Sequence, residues 1–168
     1  MWKKIMVIGC PGAGKSTYAR KLRDITNLPL YYLDMIWHKP DKTNISREEF
    51  DEKVKEIMEK EEWIIDGNYQ RTMEIRMKAC DAIFFLDIPL EICYASAEAR
   101  IGQEREDMPW IEEEFDDEFK QWILDFPKRD LNLIYELLEK YKGEKQIVIF
   151  KSREKADEYL KKLKVTKK

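Results

Sequence analysis

The chain has 168 residues, 43% of them hydrophobic and 39% charged, with a formal net charge of −3. That length fits one domain able to bury a core without disulfide staples, and no apolar run approaches the ~18 residues of a membrane span. A pI near 5.5 gives no global basic field to attract nucleic acid, and three scattered cysteines beside a single histidine, His38, argue against a disulfide framework or a zinc site. The opening Met1–Gly12 has two lysines before apolar residues, but its run Ile5–Ile8 is too short for a secretory leader, so a cytoplasmic protein is expected.

In chain order, the first apolar run, Ile5–Ile8, predicts a buried strand and Ser16–Ile25 a helix behind it. Leu30–Leu33 predicts a second strand. Phe50, Val54, Ile57 and Met58 then form a helical stripe behind a capping box of Ser46 and Glu49, with Glu49–Lys53, Asp51–Lys55 and Glu56–Lys60 pairs on its exposed face. Trp63–Ile65 and Ile83–Leu86 predict the third and fourth strands. Phe119, Trp122, Ile123 and Phe126 form a stripe that stops at Pro127, and Ile134, Leu137, Leu138 and Tyr141 form one that ends at Gly143. Ile147–Phe150 predicts a fifth strand and Ala156, Tyr159, Leu160 and Leu163 a last helix capped by Ser152. Its end carries Lys161, Lys162, Lys164, Lys167 and Lys168, read as a solvated terminus. Short apolar runs without alternation are strands buried on both faces of a parallel sheet. Alternating with helices, they define an α/β doubly wound fold in one domain, residues 1–168.

The strongest motif is Gly9-Cys10-Pro11-Gly12-Ala13-Gly14-Lys15-Ser16, which matches G-x-x-x-x-G-K-[ST] between a predicted strand and a predicted helix. Glycines let backbone N–H groups wrap phosphates, and the helix N-terminus adds a favourable dipole. Gly9, Pro11, Gly12, Ala13, Gly14, Lys15, Ser16 and Thr17 are therefore candidates for ATP binding. Lys15 would reach the β- and γ-phosphates and Ser16 would ligate Mg²⁺.

Ligands of open α/β sheets lie beyond the carboxyl ends of the strands. Three acids stand there: Asp34, Asp66 and Asp87. Asp66, heading Asp66-Gly67-Asn68-Tyr69, is a candidate to hold Mg²⁺ through water. Asp34 is either a base for an acceptor hydroxyl or a helix cap, and Asp87 before Pro89 is structural. Transfer of a phosphoryl group also needs cations, for which Arg71, Arg76, Arg100, Arg105 and Arg129 are candidates. Asp34, Trp37, Asn68, Arg71 and Arg76 would bound the acceptor pocket, and Trp37 and Tyr69 either stack on a ligand or pack in the core. From Glu104 to Glu118 nine acids oppose one base, Arg105. The acids are expected on a solvated helix face turned outward, leaving Arg105 inward.

These segments, with Leu33-Asp34-Met35-Ile36-Trp37, Arg105-Glu106-Asp107-Met108 and Phe119–Arg129, resemble the DNA topology modulation protein family, a branch of the adenylate-kinase-like P-loop kinases. The resemblance runs from Ile5 to about Leu160. It implies a five-stranded parallel sheet in order 2-3-1-4-5, an acceptor-side helical insert over about 38–61 and an arginine-bearing lid over about 100–118. It also implies that Arg100 is a lid arginine and that Lys151-Ser152-Arg153 frames adenine, with Ser152 in the nucleotide site. Adenylate kinases carry an acceptor-phosphate arginine one residue before the position of Arg71. Ser96 and Glu106 here replace an expected helix arginine and an expected lid proline. The expected activity is ATP- and Mg²⁺-dependent phosphorylation of a small molecule, such as a nucleotide or nucleoside, by a monomer or homodimer without membrane or direct nucleic-acid contact. The alternative is an ATP-binding regulatory switch with slow ATPase activity linked to DNA topology.

Overall fold

Each of the five apolar runs forms a strand: β1 Lys4–Gly9, β2 Leu30–Tyr32, β3 Trp63–Asp66, β4 Ala82–Leu86 and β5 Gln146–Phe150. In the computed structural model, which describes residues 1–167, they pair in parallel in the order β2-β3-β1-β4-β5. Lys168 and the Lys167 side chain, part of the predicted basic tail, lie outside the described residues. The central strands are buried throughout: Ile5 to Ile8, Trp63 to Ile65 and Ala82 to Phe85 are all at 0% exposure. This is why they read as unbroken apolar runs. β5 lies at the sheet edge, and its Ile149 is exposed.

The helices are α1 Lys15–Thr26, α2 Leu33–Trp37, α3 Arg47–Met58, α4 Gln70–Ala79, α5 Leu90–Ala99, α6 Asp117–Leu124, α7 Asn132–Lys140 and α8 Arg153–Lys167. α1 packs on β1, β2 and β3 and against α8, while α4 also packs on β1, giving the three-layer α/β arrangement. Phe84 anchors the core among rings, 5.4 Å from Trp2, 5.7 Å from Tyr18 and 5.6 Å from Tyr159. No helix among the described residues is long and apolar enough to cross a membrane.

Local chemistry explains most boundaries. The Ser46 hydroxyl accepts from the Glu49 N–H at 3.1 Å and starts α3. Ser152 does the same for α8, accepting from the Lys155 N–H at 3.2 Å. Asp87 closes β4 by accepting from the Tyr135 hydroxyl and the Lys151 ammonium, which ties α7 and the end of β5 to it.

Several expectations need correcting. Leu33 begins α2 and does not end β2. Pro127 is no full stop, because a π-helical turn over Pro127–Leu131 carries the chain from α6 into α7. Proline is tolerated at that first position because it has no N–H to lose there. On α3 only Lys53–Glu49 forms of the three expected pairs, at 3.9 Å, and Asp51 turns away to Arg71. The acidic stretch forms no helix until Asp117, so its acids have no common outward face.

Candidate active site

The sheet brings three strand ends to one edge: Val7 of β1 lies opposite Asp66 of β3, and Gly9 lies opposite Leu86 of β4. From there the loop after β1 lies against α5. Gly12 has φ of 86°, and a Cβ there would fall 2.1 Å from the Cys93 carbonyl oxygen. Only glycine lets the loop lie so close. On the neighbouring turn Gly67 has φ of 143°, and a Cβ would meet the Leu33 side chain at 2.9 Å.

The Ser16 hydroxyl donates to Asp66 Oδ2 at 2.7 Å. The other Asp66 oxygen, Oδ1, is buried with no hydrogen-bond partner among the described residues. Burial pushes the Asp66 carboxyl up to about 6, opposed by the nearby Lys15 ammonium and the Ser16 hydrogen bond. A hard-oxygen pair with one orphaned lone-pair set is the donor set a hydrated Mg²⁺ takes, so these residues fit that ion. Lys15 folds back toward the loop, its ammonium donating to the Cys10 carbonyl at 3.3 Å.

Gly9 and Arg76 are not where the sequence suggests. Asn68 takes both main-chain groups of Gly9, accepting from its N–H at 3.0 Å and donating to its carbonyl at 2.7 Å. Gly9 thus lies behind the cavity-lining part of the loop, and Asn68 holds the loop's root to β3 while also reaching the cavity wall. Arg76 is fully buried and lines neither the main cavity nor the smaller one beside the loop. Its guanidinium donates to Thr72 Oγ1 at 3.1 Å and to the carbonyls of Gly67 at 2.9 Å, Tyr69 at 3.1 Å and Asn68. Burial lowers it to about 9. With its donors spent on that turn, Arg76 shapes the Gly67–Tyr69 backbone.

A cavity of about 1100 Å³ opens from this edge, between the loop, α2, α3, the start of α4 and the segment before α6. Pro11, Gly12, Gly14, Lys15, Ser16, Thr17 and Asp66 form its loop end. Asp34, Trp37, Tyr69, Arg71, Arg100, Arg105 and Arg129 line the remainder. Asp34 Oδ1 accepts from the Tyr69 hydroxyl at 2.6 Å, and Asp34 Oδ2 makes no hydrogen bond among the described residues. Burial and that contact raise the Tyr69 phenol. Trp37 packs edge-on against Phe50 at 5.4 Å, so it is both core and cavity wall. His38 lines the same cavity, edge-on to Trp110 at 4.9 Å, and burial lowers its imidazole.

The arginines differ sharply in their partners. The Arg100 guanidinium has no ion pair or hydrogen bond among the described residues, its Nε is buried, and burial with Arg105 nearby lowers it. Arg71 pairs with Asp51 at 2.6 Å. Arg105 pairs with Glu112 at 2.9 Å and lies 3.7 Å from Asp107. Arg129 pairs with Asp130 at 2.9 Å and stacks on Trp122, 3.4 Å from its ring centre. The acids expected to face outward also come inside, since Glu104, Glu106, Asp107, Glu112, Asp116 and Glu118 all line the cavity. The segment over 100–116 is irregular and wraps over the opening, so acids from both of its sides face inward. Glu106 pins it down, accepting from the Tyr32 hydroxyl and pairing with Arg23 at 3.2 Å.

A second cavity of about 430 Å³ adjoins the loop and includes Gly12, Ala13, Gly14, Thr17, Arg100 and Arg153. Ser152 lines neither cavity and serves as the α8 cap. Arg153 faces the loop instead, donating to the carbonyl of Gly12 and to Ser96 Oγ, both at 2.7 Å. Sequence reasoning did not single out this side chain. Its one signal was Ser96, a small hydroxyl where the resemblance leads one to expect an arginine.

The sheet order, the loop motif and the Ser16–Asp66 pair put the chain in the P-loop kinase fold class. No protein-family model matches it. An adenylate kinase from Thermotoga petrophila is 35% identical over 89 residues, 52% of this chain and 40% of that protein. The chain thus matches less than half the length of these curated relatives. Among solved structures, shikimate kinase from Bacteroides thetaiotaomicron is 20% identical, with 99% of this chain and 98% of that one covered at a TM-score of 0.55. A gluconokinase from Sinorhizobium meliloti 1021 is 14% identical, with 98% and 91% covered at a TM-score of 0.56. These likenesses establish the fold.

Proposed function

We propose that the protein is a Mg²⁺- and ATP-dependent small-molecule phosphotransferase. The observation that carries this reading is the Ser16–Asp66 hydrogen bond at 2.7 Å beside Lys15, at the mouth of a cavity large enough for both substrates. The loop amides and Lys15 bind the β- and γ-phosphates of ATP. Ser16, with Asp66 through water, holds Mg²⁺, which when bound neutralises charge on those phosphates. Arg100, with its charge uncommitted, lies along the phosphates from the lid side, and the segment over 100–118 excludes water so that transfer outruns hydrolysis. Residues 38–61 wall the acceptor side of one kinase domain acting in the cytoplasm.

Asp34 acts as the base. Its free Oδ2 takes the acceptor's hydroxyl proton while that oxygen bonds to the γ-phosphorus and the bond to the β-phosphate oxygen breaks, releasing ADP. The Tyr69 hydroxyl orients the carboxylate through Oδ1.

The adenylate kinase relatives and the shikimate kinase and gluconokinase structures support the reaction type and leave the acceptor open. The test is ADP release from ATP and Mg²⁺ with and without pooled hydroxylated acceptors and nucleoside monophosphates, with Lys15→Ala as the blank. A severalfold acceleration with label entering a new compound is expected. Tight ATP binding with slow, acceptor-indifferent hydrolysis would instead identify the alternative, an ATP-binding regulatory switch with slow ATPase activity linked to DNA topology.

A further inference from the structure

The cavity is lined by ten carboxylates against seven lysines and arginines, and Lys15 and Arg100 among the latter serve the nucleotide phosphates. What remains on the acceptor side is acidic. Its charge state is also committed in detail. Arg71 is held by Asp51, Arg105 by Glu112 and Arg129 by Asp130, each at 2.9 Å or less.

From these pairings we infer that the acceptor is a hydroxyl compound bearing an ammonium group, and that phosphate- and carboxylate-bearing acceptors are excluded. The inference rests on the phosphotransferase reading above. An acceptor phosphate needs guanidinium forks free to bind it in parallel hydrogen bonds. Here the Arg71, Arg105 and Arg129 forks would each first have to leave a carboxylate, and Arg20 is engaged by Thr17 Oγ1 at 3.2 Å and the Tyr32 hydroxyl at 3.4 Å. Asp130, with only 6% of its side chain exposed, would lose its one counter-charge and keep only the Gln70 amide in the wall. Arg47 at the start of α3 is uncommitted, but it is exposed and single.

An ammonium meets the opposite situation. Asp51 Oδ1 is buried without a hydrogen-bond partner even though Oδ2 pairs with Arg71, so one acceptor position in the wall is unfilled. Phe50, next in sequence, packs on Trp37 and Tyr69, and those rings supply aromatic faces that favour a cation. In the transfer step the acceptor's hydroxyl gives its proton to Asp34 as the new phosphate ester forms and ADP leaves. The ammonium takes no part in the bond changes and serves to hold the molecule.

The experiment uses four matched probes: glucosamine, glucose, glucuronate and glucose 6-phosphate, with AMP as a fifth. Each is titrated calorimetrically into the protein saturated with Mg²⁺ and a non-hydrolysable ATP analogue, and each is separately tested for label transfer from ATP. Glucosamine is expected to bind at least about tenfold more tightly than glucuronate, glucose 6-phosphate or AMP, a difference of ~1.4 kcal/mol. An Asp51→Asn variant, which frees the Arg71 fork, should narrow that preference severalfold. Tighter binding of any anionic probe, equal binding of all, or binding of none overturns the proposal. Label transfer to an anionic or uncharged probe in preference to glucosamine overturns this proposal and upholds the phosphotransferase reading, whereas label transfer to no probe or pooled acceptor removes that reading even if glucosamine binds preferentially, so the two failures are distinct.

Discussion

The Asn68 carboxamide and the Gly9 peptide group exchange two hydrogen bonds, of 3.0 and 2.7 Å, across the ends of β3 and β1. The side chain imitates one step of a β-ladder where the two strands separate. It satisfies both polar groups of the residue at which the phosphate loop leaves the sheet. The same turn is held from below by Arg76, so Asp66 is presented to Ser16 from a backbone tied at both ends.

Asn68→Ala leaves the Gly9 N–H and carbonyl unpaired in a part-buried position. We expect a loss of about 2 kcal/mol or more in urea unfolding and a raised KM for ATP with a smaller change in kcat. An unchanged KM would mean the loop keeps its shape without this clamp.

Asp66 sets a pH dependence of known sign. Its folded-state carboxyl lies near 6, above its ordinary value of 3.8, because burial disfavours the charge. Between those two values the folded protein binds more protons than the unfolded chain, so this group's contribution to stability falls as pH rises and is fully lost above about 6. Asp66→Asn should therefore unfold at higher denaturant than the parent at pH 7, by up to about 3 kcal/mol, and show no gain near pH 4. In the parent, Mg²⁺-dependent nucleotide binding should weaken as pH drops through 6, read by titration with a fluorescent ATP analogue.

Arg71 and Arg76 lie on the same helix and should answer mutation in opposite ways. Arg76→Ala takes their side-chain donor from the carbonyls of Gly67 and Asn68 and one of several partners from Thr72 and the Tyr69 carbonyl, with an expected loss of about 3 kcal/mol or more. Arg76→Lys should recover little of it, since an ammonium cannot reproduce the planar fork. Arg71→Ala breaks a half-exposed pair with Asp51 and should cost under about 1 kcal/mol. Thermal or urea unfolding of the three variants decides the matter.

Arg153 and Ser152 are neighbours with separate jobs. Arg153→Ala frees the Gly12 carbonyl and Ser96, and should weaken ATP binding roughly fivefold to tenfold through the loop. Ser152→Ala removes only the α8 cap, costing about 1 kcal/mol of stability with ATP affinity unchanged. Equal effects on affinity would show that the cap, and not the guanidinium, positions the loop.

What the residue order determined on its own is whatever depends on neighbours in the chain. The five doubly buried strands, the Ser46 cap and the loop from Gly9 to Ser16 are each encoded within a few consecutive residues, so apolar runs, caps and glycine spacing are enough to read them. Tertiary structure decided the rest, because it depends on which side of an element a residue falls and on what lies opposite. Arg71 and Arg76 are five positions apart on α4, far enough around a helix of 3.6 residues per turn to send one to the cavity and the other into the interior. Arg153 meets Gly12 from 141 positions away, a contact no local pattern carries. The acids between Glu104 and Glu118 have no regular structure over most of their length and so no period to read. Only the path of the chain over the cavity turns six of them inward, and Arg105, the one cation among them, is spent on Glu112.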